Sequence, residues 1–260
     1  MSNSDIDIEE VFADFVEDFG GIVSDRTPTK GNRSANADYI FHEDKVVMEM
    51  KLLKENPFKN KDWLKSFEKK KRQWLQTERI TPSDLRKITQ VNQLPDALYR
   101  DISKLYGRPV KYQIERANKQ IKATKETLNL ADYKGLVLIG SDGNYFLQPR
   151  HVRYFISNVL NNELLYKSIN TAIYFTANVV TTRPGDPTFT RLWINLYRDK
   201  THFENVPLSF LKRLYEGWVG FYKNVTGLDL AVLSEMNAEG ITEEDQLDNT
   251  NFLMPSDEDS

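Results

Sequence analysis

Apolar positions near the start of the chain recur every three to four residues. Ile8, Val11, Phe12, Phe15, Val16 and Phe19 share one side of a helix expected over 6–19, and Gly20-Gly21 ends it. The Ser, Thr, Pro, Gly and Asn of 24–35 read as a loop. Two short runs of strand type follow, Ala37–Phe41 and Val46–Leu52, around the polar turn His42-Glu43-Asp44-Lys45. Helical spacing is expected over 57–79 and 95–106, with a second helix start at Pro82-Ser83. A long basic helix is expected over 111–130, with Ile114, Ala117, Ile121 and Leu128 on its apolar side. Gly135–Gly140 reads as a buried strand, and Asp142-Gly143 signals a hairpin turn to Tyr145–Leu147. A helix over 149–161, strands over 171–180 and 190–198, and a helix over 208–222 complete the pattern. The fold class is α/β, a mixed central sheet flanked by helices. The expected domain spans 1–235, with an acidic, disordered tail over 236–260.

Composition narrows the chemistry. The 260 residues are 40% hydrophobic and 28% charged, as in a soluble globular protein, and no apolar run approaches membrane-spanning length. Cysteine is absent, which removes disulfides and thiolate chemistry; the histidines (His42, His151, His202) stand at no zinc-ligand spacing. The acidic first ten residues lack a signal-peptide core, so a cytoplasmic location is expected. The net charge of −3 hides a segregation. Residues 1–25 carry eight acids and residues 229–260 carry ten, with no Lys or Arg in either. All 35 basic residues lie between Arg26 and Lys223 against 20 acids, so that stretch has a net charge of +15. Such a field suits a polyanion, although long helices also carry solvated lysine faces.

The hairpin at 37–52 carries the candidate chemistry. Side chains alternate along a strand, so Glu49 and Lys51 project from one face and Met48 and Met50 from the other. A turn centred on Glu43-Asp44 places Phe41 opposite Val46, Ile40 opposite Val47, and Asp38 opposite Glu49. Opposed residues share a face, so Asp38, Glu49 and Lys51 converge. Facing carboxylates repel, and a cation between them removes the repulsion. Two hard oxygen donors, with room for water and phosphate, suit Mg²⁺ or Mn²⁺.

In these residues the chain resembles the restriction-endonuclease-like superfamily, the PD-(D/E)XK nucleases. Asp38 matches the first acid of that motif, Glu49 the second and Lys51 the lysine, while Ala37 stands in the place of the proline. The resemblance covers about residues 8–52. It implies a Mg²⁺-dependent nuclease, with DNA as the expected substrate, in which Asp38 and Glu49 hold metal against a scissile phosphate. Lys51 then orients or deprotonates the attacking water and stabilises developing negative charge. The first helix of the family often adds an acidic ligand, a part that falls to Glu10 or Glu17. The core helix and further strands would come from 111–147, after a helical insertion at about 57–106.

Candidate nucleic-acid contacts are Arg26, Lys30 and Arg33 in the loop before Asp38, Lys69, Lys70 and Arg72 beside Trp74, and Lys119, Gln120 and Lys122 on the long helix. Trp63, Phe67 and Trp74 read as core anchors, and His151 as a surface residue. Two alternatives stay open: a non-catalytic nucleic-acid-binding module of nuclease-like fold, and a protein-interaction subunit of a larger complex. A homodimer or a partner subunit fits any of them, and no membrane partner is expected.

Overall fold

A computed structural model describes residues 6–26, 36–54, 59–87, 95–142, 149–161, 165–176, 181–183, 186–198, 204–227 and 232–235. The first helix, α1 (Ile8–Asp18), is capped by the Asp7 carboxylate, which accepts from the Glu9 and Glu10 N–H groups. Gly20, at φ +88°, turns the chain into the two-residue strand β1 (Ile22–Val23). Strands β2 (Tyr39–Phe41) and β3 (Val46–Leu53) form the hairpin. Helices α2 (Lys61–Gln76), α3 (Pro82–Lys87), α4 (Asp96–Tyr106) and α5 (Arg108–Thr127) precede β4 (Lys134–Ser141). Then come α6 (Pro149–Leu160), β5 (Thr171–Thr176), β6 (Thr181–Arg183), β7 (Asp186–Tyr197), α7 (Leu208–Thr226) and β8 (Val232–Glu235).

The eight strands lie in the order β1-β2-β3-β4-β5-β7-β6, with β8 pairing β7. Pairing is antiparallel from β1 to β3, parallel from β3 through β4 to β5, and antiparallel between β5 and β7. The class is therefore α/β, a mixed sheet flanked by helices. Central β3 and β4 are buried along nearly their whole length, which explains the apolar run of β4 and makes Glu49 and Lys51 stand out in β3.

Helices cover both faces. Tyr39, Phe41, Met48 and Met50 pack with Phe12 and Phe15 of α1 and with Phe210, Leu214 and Trp218 of α7. On the other face Ile40, Val47 and Leu53 pack with α2, α4, α5 and α6, through residues such as Trp63, Tyr106, Ile114 and Phe155. Gly135 lets β4 pass under the following loop, because a Cβ there would stand 1.8 Å from the Ser168 carbonyl oxygen.

β4 has parallel neighbours on both sides, β3 and β5; Gly143 of the expected hairpin turn and Tyr145–Leu147 lie outside the described residues. Two expectations change. Leu128 is 41% exposed because α5 ends at Thr127, which turns the next side chain off the apolar stripe. His151 is buried, not superficial, because the first turn of α6 tucks its side chain inward. Trp63, Phe67 and Trp74 are core residues, as expected. No helix among the described residues is long and apolar enough to cross a membrane. The tail 236–260 lies outside the described residues.

Candidate active site

The hairpin register is the one the turn predicts: Phe41 pairs with Val46, Ile40 with Val47 and Tyr39 with Met48. Asp38 is one step beyond, facing Glu49, and two cross-strand hydrogen bonds lock the pair. The Asp38 N–H donates to Glu49 Oε2 at 2.9 Å, and the Met50 N–H donates to Asp38 Oδ2 at 2.8 Å. Lys51, two residues along the same strand face, donates to Glu49 Oε1. The three residues thus converge as the sequence predicts.

Burial gives the cluster its electrostatics. Glu49 is wholly buried and Lys51 nearly so. Burial pushes the Glu49 carboxyl up to about 8, and the Asp38 charge adds to the effect while Lys51 opposes it. Asp38 is also raised, first by burial, with Lys51 and the Met50 N–H pulling the other way. Two carboxyls sharing one lysine are under-neutralised, which is the condition a divalent cation relieves.

The donor set fits a hard cation. Asp38 Oδ1 accepts no hydrogen bond among the described residues, and Glu49 adds a second carboxylate beside it. Among the described residues no group of three or more His, Asp or Glu is arranged around a metal position. A cation here would have the two carboxylates as protein ligands, and water and phosphate oxygens would complete the shell, a common pattern for Mg²⁺.

The third ligand expected from α1 is not where the sequence suggested. α1 packs on the Met48/Met50 face, whereas Glu49 and Lys51 project from the opposite face with Val47. Glu17 is bound by Arg26 at 2.8 Å, and Glu10 is exposed. Glu9 is the α1 acid whose charge raises Asp38; it is held by Lys54 at 3.1 Å. Asp25, just after β1, acts on Asp38 in the same direction. Sequence reading missed both, because helix rotation and the fold of the loop decide which acid faces the strand ends.

The basic candidates divide. Arg26 is held by Asp14 and Glu17 at 2.7 and 2.8 Å, which fastens the 24–26 turn to α1. Lys30 and Arg33 lie outside the described residues. Lys70 lies 3.8 Å from Asp101, and Lys122 lies 3.7 Å from Glu126 one turn on. Lys69, Arg72 and Lys119 are exposed. Gln120 reaches the segment leading into the site: its Nε2 donates to the Asn36 carbonyl at 3.2 Å, and its buried Oε1 has no partner among the described residues.

Thr124, absent from the sequence-based candidates, holds the same segment. Its Oγ1 accepts from the buried Ala37 N–H at 2.6 Å, next to Asp38. A Thr124→Val variant strands that donor and is expected to lose about 1–3 kcal/mol in urea unfolding. Thr124→Ser should retain most of the stability; equal losses in both variants would count against the hydrogen bond as the cause. No family model, curated protein or solved structure matches the chain.

Proposed function

We propose that the protein is a metal-dependent nuclease that hydrolyses DNA phosphodiester bonds at Asp38, Glu49 and Lys51. The observation that carries this reading is the cross-strand lock between Asp38 and Glu49, with Lys51 on the same buried face. The order of elements supports the resemblance to PD-(D/E)XK nucleases, since a helix precedes the strand pair and α5 and β4 follow it. Bound between Asp38 and Glu49, Mg²⁺ or Mn²⁺ would supply charge neutralisation and water activation at the phosphate.

The chain's own residues supply the rest. Hydrogen bonds from the Asp38 and Met50 N–H groups hold both carboxylates in fixed orientation, so little reorganisation accompanies substrate binding. The Lys51 ammonium provides a fixed positive charge in a water-poor setting, where it favours the extra negative charge of the transition state. Gln120 and Thr124 hold the 36–38 segment against α5 and so position Asp38. The reading carries a cytoplasmic setting with it, motivated by the cysteine-free chain.

The test is cleavage of supercoiled plasmid and of single-stranded DNA with Mg²⁺ or Mn²⁺, comparing wild type with Asp38→Ala. Metal-dependent cutting by wild type that falls to background in the variant is the expected result. Equal cutting by both proteins would overturn the assignment.

A further inference from the structure

Helix α2 buries one side and exposes the other. Trp63, Phe67 and Trp74 face inward; Trp63 Nε1 donates to the Leu105 carbonyl at 3.3 Å and Trp74 Nε1 to Asp101 Oδ2 at 3.2 Å. At 100° per residue, Lys61, Lys65, Lys69 and Arg72 fall in one stripe directly opposite those aromatics. All four are exposed. The cations nearer the helix flanks are engaged, Lys71 with Glu68 at 2.7 Å and Lys70 with Asp101 at 3.8 Å. Lys61, Lys69 and Arg72 have no acidic partner among the described residues. Among the described residues Lys65 meets Asp62 alone, at 3.5 Å with both side chains largely in water, a contact of little energy.

We infer that this stripe is a backbone-tracking surface for double-stranded nucleic acid, which the nuclease reading of Asp38, Glu49 and Lys51 would use as substrate. The inference rests on that reading for its purpose but not for its binding test. From Lys61 to Arg72 the stripe runs about 16 Å. Phosphates on one duplex strand advance about 3.4 Å each, so the stripe matches a run of about five. α2 belongs to the hydrophobic layer on the side of the sheet from which Glu49 and Lys51 project, and it follows β3 directly in the chain. Single-strand binders pair such cations with exposed aromatics on which bases stack. Here every aromatic of α2 is in the core, which leaves a surface for phosphates and none for bases. Duplex, with its bases already stacked, is the form that matches.

The experiment measures binding of a duplex and of a single strand of equal length in EDTA, over a range of salt, so that cleavage plays no part. The Lys65→Gln/Lys69→Gln/Arg72→Gln variant is compared with wild type, and circular dichroism verifies its fold. The expected result is at least about tenfold weaker duplex binding, with the salt slope reduced by about 3. Duplex affinity and slope equal to wild type would overturn the stripe. So would wild-type binding of single strand in preference to duplex, or a loss confined to polyglutamate, which would indicate an acidic protein partner. If the triple variant loses duplex binding while wild type never cuts, the stripe stands and the nuclease reading falls. Cutting with an inert stripe gives the converse.

Discussion

Lys51→Met is expected to lower metal-dependent cleavage by about 10²–10³-fold while leaving DNA affinity within a few-fold of wild type. The side chain contributes through its charge, and methionine keeps most of its length and packing while deleting that charge. Removing one member of a buried ion pair is usually costly, because it leaves the other charge stranded. Here the cost is small, because Glu49, already pushed up to about 8, keeps its proton at neutral pH when Lys51 is gone. The variant should therefore fold, bind DNA and fail in chemistry. The loss should fall on kcat and not on KM, since Lys51 acts on charge that develops after binding. Cutting at a rate near that of wild type would remove Lys51 from the mechanism.

The second large effect is on stability against pH. In the unfolded chain Glu49 returns to its ordinary value near 4.5, whereas in the folded protein it titrates at about 8. Between those values the folded state holds a proton that the unfolded state has released, so stability falls as pH rises through the window and levels off above it. Without divalent ions the loss is on the order of 5 kcal/mol across the window, and Asp38, raised in the same direction, adds to it. Urea unfolding from pH 5 to pH 9 measures it. Glu49→Gln should flatten the profile, at the cost of one hydrogen bond, since an amide has a single acceptor to offer the Asp38 N–H and Lys51. Adding Mg²⁺ should restore more stability to wild type at pH 8 than at pH 6, because protons compete for the same oxygens at the lower pH. A wild-type profile no steeper than that of Glu49→Gln would show that Glu49 is not held protonated.

The site was legible in the sequence wherever it depends on local rules. Strand alternation and a four-residue polar turn suffice to oppose Asp38 and Glu49, and the pairing of Tyr39 with Met48 follows the same register. The helices α1, α2, α4, α5, α6 and α7 were legible from 3.6-residue periodicity, and the aromatic face of α2 with them. What failed was sidedness and pairing order. Nothing in the α1 sequence says that its apolar stripe covers the face opposite Glu49, so the sequence does not separate Glu10 from Glu17; the packing of Phe12 and Phe15 sets the side α1 takes. β1, with two residues, is too short to show a period, and β8 earns its place through pairing with β7. Thr124 looked like an ordinary residue of a basic helix; its role comes from the Ala37 N–H, which lies 87 positions earlier in the chain.

The packing of α5 on β3 divides the site into two parts of different chain geometry. Asp38 and Glu49 are eleven residues apart and meet by closing a short turn. The helical layer over the Glu49 face, with α5 packed on β3, is complete only after α2, α3 and α4 have been made. Facing the carboxylates is thus a local event, and desolvating them is a distant one. Loop-closure entropy grows only with the logarithm of length, about 0.6 kcal/mol for each doubling. The connections between β3 and α5 can therefore lengthen, and the exposed side of α2 can change, with little effect on how the strands meet, so long as the buried aromatics of α2 are kept. On the nuclease reading, this architecture holds the acids and the lysine on a short, fixed hairpin and leaves the exposed side of the connection free to set substrate preference.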